Sequence, residues 1–264
     1  MKKDVRNTVI AVAAVAAVFI TAYACLMVYS GTSTIFYTVE SGSMRHSDDS
    51  RIGVIDAGDM VIVRDPSKTD IITYLDAHGT GYKKFGDYGD VILYKTPGKT
   101  IIHRAIAYME LNEYGTWSIQ SLKDYKGEWF CKRDLVEFSD VSHLEGTLTF
   151  VDFGYNGREF SVNLDYLATV TVPGTGGYIT MGDHNTLADQ TAGISGIVTA
   201  DMVTAVAAHE IPWLGCVKLY ITGNNTDQIP LNSLLMLVGT ITGLILALVA
   251  INAVYERTKR DKGN

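Results

Sequence analysis

Apolar residues along this chain fall into two kinds of pattern. At the ends they form unbroken runs: Val9 to Val28 and Ile229 to Tyr255 carry no charge, and each reaches the roughly 20 residues that a helix needs to cross a hydrocarbon core. Between the runs, β-branched and aromatic residues gather in short stretches punctuated by Gly, Asp and Asn: Thr34 to Val39, Met60 to Arg64, Asp90 to Tyr94, Thr100 to Ala107, Thr147 to Phe153, Glu159 to Leu164 and Gly177 to Met181. Such spacing predicts antiparallel strands joined by turns, and no stretch keeps the 3.6-residue period of a helical bundle. The predicted fold class is a mostly β domain over residues 30–230, flanked by transmembrane helices at 8–29 and 231–255 and by short tails at 1–7 and 256–264. Ser67 to Asp87 and Asn112 to His143 are polar and rich in turn residues, so insertions into a smaller core are expected near 67–87 and 108–165.

Charge decides the orientation of the two apolar runs. Lys2, Lys3 and Arg6 precede the first, and Arg257, Lys259, Arg260 and Lys262 follow the second. Basic clusters at both outer ends place both termini in the cytoplasm and the middle of the chain outside. An Ala22-Tyr23-Ala24 pattern could end a cleaved leader, but the run continues through Cys25 to Val28, beyond a usual leader core, and an uncleaved anchor is expected. The region from 30 to 230 holds 15 basic and 26 acidic residues, a net charge of −11. Attraction to nucleic acid is excluded on that charge. Cys131 and Cys216 are the cysteines of this region; an oxidising compartment would permit one disulfide between them, without requiring it. Asn224-Asn225-Thr226 is a glycosylation sequon, a short and often unused motif. Trp213 and Leu214 lie just before the second run, where a Trp beside aliphatics and Lys218 suits a membrane interface and equally suits the closing of a β core.

Three fragments could carry chemistry. Ser41-Gly42-Ser43-Met44 follows a predicted strand, and by itself is only a turn. His103 lies in Thr100 to Ile106, where a period of two puts it on one face with Ile101 and Ala105, and Arg104 on the other. Gly182-Asp183-His184-Asn185, with Asp189 six residues after Asp183, has the composition of a loop. His103, Asp183, His184 and Asp189 are also metal-ligand types, yet neither an H-E-x-x-H motif nor a cysteine pair anchors such a site, and no metal or other cofactor is expected.

In this chain order the fragments resemble the type I signal peptidases of the archaeal and endoplasmic-reticulum branch. The matching residues are Ser41-Gly42-Ser43-Met44, Gly58-Asp59-Met60-Val61-Ile62-Val63, Gly89-Asp90-Val91-Ile92, Ile102-His103-Arg104 and Gly182-Asp183-His184-Asn185 with Asp189. Ile211-Pro212-Trp213-Leu214-Gly215 with Lys218-Leu219 is similar to the segment before the second anchor of archaeal members. The resemblance does not extend to 67–87 or 108–165. Arg45 and His46 stand where relatives often carry Pro, and His184 where Asn is common.

The resemblance implies a signal-peptidase-like β fold and a membrane-bound serine endopeptidase that cleaves N-terminal signal peptides from secreted and membrane preproteins after small residues. It assigns Ser43 as nucleophile, His103 as the base that replaces the Lys of bacterial relatives, Asp189 as its orienting carboxylate and Asp183 as a support of the loop. Ser41 stands where bacterial relatives supply an oxyanion-hole hydroxyl, beside the Ser43 N–H. Signal peptides of preproteins, the lipid bilayer and the protein-export translocon are the partners it implies. Two other classes fit the architecture: a non-catalytic membrane-anchored β domain, which would leave the ordered Ser, His and Asp set without a role, and a metal-dependent membrane hydrolase, which would use His103, His184 and the carboxylates.

Overall fold

The chain is described from Lys3 to Asp261 in a computed structural model. Its first charge-free run folds as α1 (Lys3–Ser30), and the end of that helix is tied to the sheet: the Ser30 hydroxyl donates to the Val63 carbonyl at 2.6 Å. Strands β1 (Phe36–Thr38) and β2 (Met60–Arg64) follow, then α2 (Tyr74–Thr80), a small hairpin of β3 (Lys83–Lys84) and β4 (Asp87–Tyr88), and the longer β5 (Val91–Thr96) and β6 (Lys99–Leu111). Next come β7 (Trp117–Ser118), β8 (Glu128–Arg133), β9 (Val136–Glu137), β10 (Thr147–Phe153), β11 (Arg158–Asn163), α3 (Leu164–Val170), β12 (Gly176–Met181), β13 (Val203–Ile211), α4 (Gly215–Thr222) and α5 (Leu231–Asp261). Val9–Ser30 of α1 and Leu231–Tyr255 of α5 are long and apolar enough to cross a membrane. Both helices run on through residues expected as tails, 3–7 and 256–261; residues 1–2 and 262–264 lie outside the described residues.

A seven-stranded antiparallel sheet organises the domain, in the order β1-β2-β13-β5-β6-β12 with β7 paired to β6. Alternation along β5 explains its central place. Val91 and Leu93 enter one core cluster with Met44, Val61 and Val63, while Ile92 and Tyr94 enter another with Ile101, Ala105 and Val206. A strand buried on both faces must lie inside a sheet, where neither side meets water.

The segments set apart as insertions are folded into the domain. From 108 to 165 the chain completes β6 and builds a second antiparallel sheet, β11-β10-β8-β9. Phe150, Phe153 and Phe160 form its aromatic centre with Trp117 and Leu148, and Ile106, Met109 and Ile179 of the first sheet close the same core. Tyr74 and Leu75 of α2 are buried there too, so 67–87 contributes to that core. Thr147 to Phe153 and Glu159 to Leu164 correspond to β10 and β11, as expected, whereas β7 and β9 are two residues long and too short to show a period. Cys131 and Cys216 are both free and buried, in separate core clusters.

Below the sheet, the loop after β1 is fastened by acids without basic partners. Asp59 accepts from the N–H of Trp213 and of Asp56, each at 2.8 Å, and the Glu210 carboxylate accepts from the Gly53 N–H. Burial pushes the Asp59 and Glu210 carboxyls up to about 7, and each also feels the negative charge of Asp56. An acid whose folded pKa exceeds its unfolded value, about 4, stabilises the fold fully below that value and loses the contribution as pH rises through the folded pKa. The protein in detergent micelles should therefore melt at a higher temperature at pH 5 than at pH 8. Glu210→Gln keeps the acceptor for Gly53 and should raise the melting temperature at pH 8 by a few degrees while flattening the pH dependence; an unchanged slope would show that Glu210 ionises freely in the folded state.

Candidate active site

Ser43 lies in the turn that leaves β1. Backbone bonds carry the β1–β2 ladder as far as Val39, whose N–H donates to the Asp59 carbonyl at 2.9 Å, and the Arg45 N–H closes the turn onto the Gly42 carbonyl at 3.3 Å. Met44, 1% exposed, fills the core beneath, so the residue before it is held at the surface of the sheet with little freedom. From the other side the His184 N–H donates to the Ser43 carbonyl at 2.8 Å. That contact requires glycine at 182, where a Cβ would fall 2.5 Å from the Ser43 carbonyl oxygen and 2.9 Å from His103 Nε2.

His103 sits on β6 opposite Ile92 of β5, buried to 4% exposure. Its Nε2 lies 3.0 Å from Ser43 Oγ, and its Nδ1 lies 2.8 and 2.7 Å from the Asp189 carboxylate oxygens. Asp189 is fully buried, and two hydroxyls, Tyr94 and Thr180, each donate to its Oδ2 at 2.6 Å. A buried carboxylate with three donors has its charge solvated by the protein. Ser41 Oγ is 3.3 Å from Ser43 Oγ, on the same turn.

Asp183 is not part of this chain of contacts. Arg104, next to His103 and on the opposite face of β6, donates through Nε to Asp183 Oδ1 at 2.8 Å and through Nη2 to Oδ2. The same guanidinium donates to the carbonyls of Gly89 at 2.8 Å, Lys84 at 3.0 Å and Tyr88 at 3.1 Å. Burial would raise the Asp183 carboxyl, but the charge and hydrogen bonds of Arg104, with those of His46, outweigh it and hold the pKa at about 2.

His46, which sequence reasoning noted only as a departure from the resembled pattern, places its Nε2 2.9 Å from Asp183 Oδ2 and stacks on the Tyr155 ring with centroids 3.9 Å apart. Arg158 donates to the Asp183 carbonyl. Tyr155 lies in the turn between β10 and β11 and Arg158 opens β11, so the second sheet clamps the loop carrying Asp183 and the end of the Ser43 turn. His184 faces outward: its Nε2 is 3.3 Å from Arg45 Nη2, away from Asp189. The four possible ligand side chains thus fall into three places, His103 with Asp189, Asp183 with Arg104 and His46, and His184 with Arg45, and among the described residues no group of three or more His, Cys, Asp or Glu is placed to hold a metal ion.

Beside Ser43 and His103 runs a cleft of about 740 Å³, bordered by Phe36 to Glu40 on one side and Gly98 to Ile102 on the other. Both walls offer free strand edges. β1 ends the sheet, and β12 pairs with β6 only from Arg104 onward, leaving Lys99 to His103 paired on the β5 side alone. An extended peptide can add to such edges through main-chain hydrogen bonds.

No protein-family model matches the chain, and no curated protein matches it.

Tyr94, Thr180, Arg104 and His46 were not singled out for a role from the sequence. A hydroxyl or a charge at a position whose strand alternation points inward was the available signal for the first three; His46 carried none. Its importance is testable. His46→Ala removes the donor to Asp183 and the stack on Tyr155, and should lower the melting temperature, by about 1–3 kcal/mol of stability for the lost buried partner. His46→Gln, which can still donate toward Asp183, should recover most of that loss; equal melting temperatures for wild type and the Ala variant would show that the turn is held without it.

Proposed function

We propose that the protein is a membrane-bound serine endopeptidase that removes N-terminal signal peptides from preproteins, cutting after small residues on the extracytoplasmic side. The observation that carries the reading is the hydrogen-bonded series Ser43–His103–Asp189 at the wall of a cleft lined by unpaired strand edges. The order of motifs along the chain and the two apolar terminal helices support it. The basic ends of the chain support cytoplasmic termini.

In this mechanism the substrate lies extended in the cleft with its scissile carbonyl against Ser43. Neutral His103 takes the Ser43 proton on Nε2 as Oγ attacks, and the imidazolium then gives that proton to the leaving amine. Asp189 accepts a hydrogen bond from His103 Nδ1–H throughout, which fixes the tautomer and stabilises the imidazolium. Tyr94 and Thr180 hold the plane of the Asp189 carboxylate through their hydrogen bonds to Oδ2. A water deprotonated by His103 then releases the acyl group from Ser43, restoring the hydroxyl. The Ser43 N–H and the Ser41 hydroxyl receive the charge that develops on the carbonyl oxygen, a role for which one donor is worth roughly 10²–10³ in kcat.

The test is cleavage of a purified preprotein by the full chain reconstituted in lipid vesicles, with the new N-terminus identified by mass spectrometry. Ser43→Ala and His103→Ala should each lower kcat by on the order of 10⁴–10⁶-fold, and the double variant should fall no further, since partners in one proton transfer act as a unit. Losses that multiply in the double variant would separate the two residues. Cleavage that survives Ser43→Ala would remove the serine mechanism altogether.

A further inference from the structure

Helix α4 has an apolar face that none of the described residues covers. It buries Cys216 and Leu219 against the domain, while Val217 and Ile221 are exposed, the latter to 80%. At 100° per residue Leu214, Val217 and Ile221 fall on one stripe opposite the buried pair. Beside it, Tyr220 is half exposed.

The depth of this helix follows from its packing. Cys216 clusters with Trp213 and with Leu237 of α5. Leu237 lies six residues into α5, about 9 Å along its axis at 1.5 Å per residue, so α4 rests at the level where the apolar span begins. A second element is fixed at the same level: Asn232 accepts from the Ser50 N–H at 2.9 Å and donates to the Ser50 carbonyl at 3.0 Å, and two residues further on Ile52 is 72% exposed.

We propose that the exposed face of α4, together with Ile52, is a membrane-interface surface seated in the leaflet that α5 enters. The proposal rests on α5 being a membrane span. Continuity with that span selects lipid over a protein partner. Trp213, for which the sequence left interface and core both open, turns inward and donates from its ring to Ser50 Oγ at 2.9 Å, so Leu214, Val217 and Ile221 are the apolar side chains offered to the interface. Lys218 stands at the edge of the stripe, with its ammonium 3.1 Å from Glu40 Oε1, and both residues line the cleft. A Lys at the boundary can keep its stem in apolar surroundings and its charge in water. The cleft therefore opens at the bilayer surface, and the seating of α4 fixes the height of Ser43 above it.

The experiment uses the full chain with Cys25→Ser, reconstituted in vesicles of phosphatidylcholine and phosphatidylglycerol. Single cysteines replace Ile221, Val249 or Leu135 and carry an environment-sensitive fluorophore; Cys131 and Cys216 are buried from the label. Quenching by aqueous iodide is compared with quenching by lipids bearing nitroxides at shallow or deep positions. With Ile221→Cys, severalfold weaker iodide quenching than with Leu135→Cys, and preferential quenching by the shallow nitroxide, supports the proposal. If the Val249 label is quenched by the deep nitroxide while the Ile221 label stays open to iodide, α5 spans the bilayer and the proposal is overturned. A Val249 label open to iodide overturns the span itself, and the proposal with it. Equal shielding at positions 221 and 135 overturns the proposal too, because the protection would not belong to α4.

Discussion

Everything at the candidate site depends on one feature of β6: two neighbouring residues, His103 and Arg104, point to opposite faces and each meets a carboxylate of the same loop. His103 engages Asp189, and Arg104 engages Asp183. A slip of one residue in the β5–β6 register would exchange the faces and put a guanidinium where the imidazole must be. Charge as well as apolar alternation guards that register. A buried guanidinium deprived of its carboxylate costs about 3–5 kcal/mol, and the carbonyls of Lys84, Tyr88 and Gly89 complete a cage that only Arg104 fills.

The second sheet extends the same logic to the nucleophile turn. Ser43 sits on an edge, where a chain leaving β1 would be free to move. Met44 fixes it from below and the His184 N–H from the side. Tyr155 of the β10–β11 turn and Arg158 at the start of β11 then reach across to His46 and to the backbone of Asp183. Hydrogen bonds within about 3 Å, such as that between His103 and Ser43, persist only if both elements are rigid. The folded segment 108–165 supplies that rigidity.

How much of this was legible in the sequence follows from where each signal resides. The terminal helices and most strands of the main sheet carry their own periods, and their positions were readable to within a few residues; β13, between β2 and β5, and the two-residue β7 were not read, since Ala205, Ala207 and Ala208 give β13 little strand signal. Ser43, His103 and Asp189 were readable as an ordered set of chemical types. Spacing alone cannot rank two carboxylates six residues apart, because the loop between them folds back: the Asp189 N–H donates to the Thr180 carbonyl at 2.9 Å, which returns the chain to β12 and leaves Asp183 on the far side. Of the second sheet, β10 and β11 were readable as Thr147 to Phe153 and Glu159 to Leu164, but β8, β9 and their assembly into a separate sheet were not, because the aromatic core is built from residues distant in the chain, Trp117 with Phe150 and Phe160. For Trp213 the sequence left both environments open, and the decision comes from Ser50, 163 residues away.

The two carboxylates also show how one loop can serve structure and chemistry together. Both are buried and both are hydrogen-bonded, so burial does not distinguish them. What differs is the permanence of the facing cation. Arg104 is charged at every accessible pH, so Asp183 is paired at all times and its carboxyl is held near 2; such a pair can lock a turn but cannot respond to a reaction. Asp189 faces an imidazole and two neutral hydroxyls. Its full cationic partner arises in the proposed mechanism only when His103 takes the proton from Ser43, so the attraction is strongest at the transition state and adds little to the resting enzyme. Stabilisation that grows along the reaction coordinate is what raises kcat, whereas a pairing equally strong in the resting enzyme and the transition state raises stability alone. In the proposed mechanism, therefore, Asp189 serves the proton transfer and Asp183 the scaffold that holds it in place.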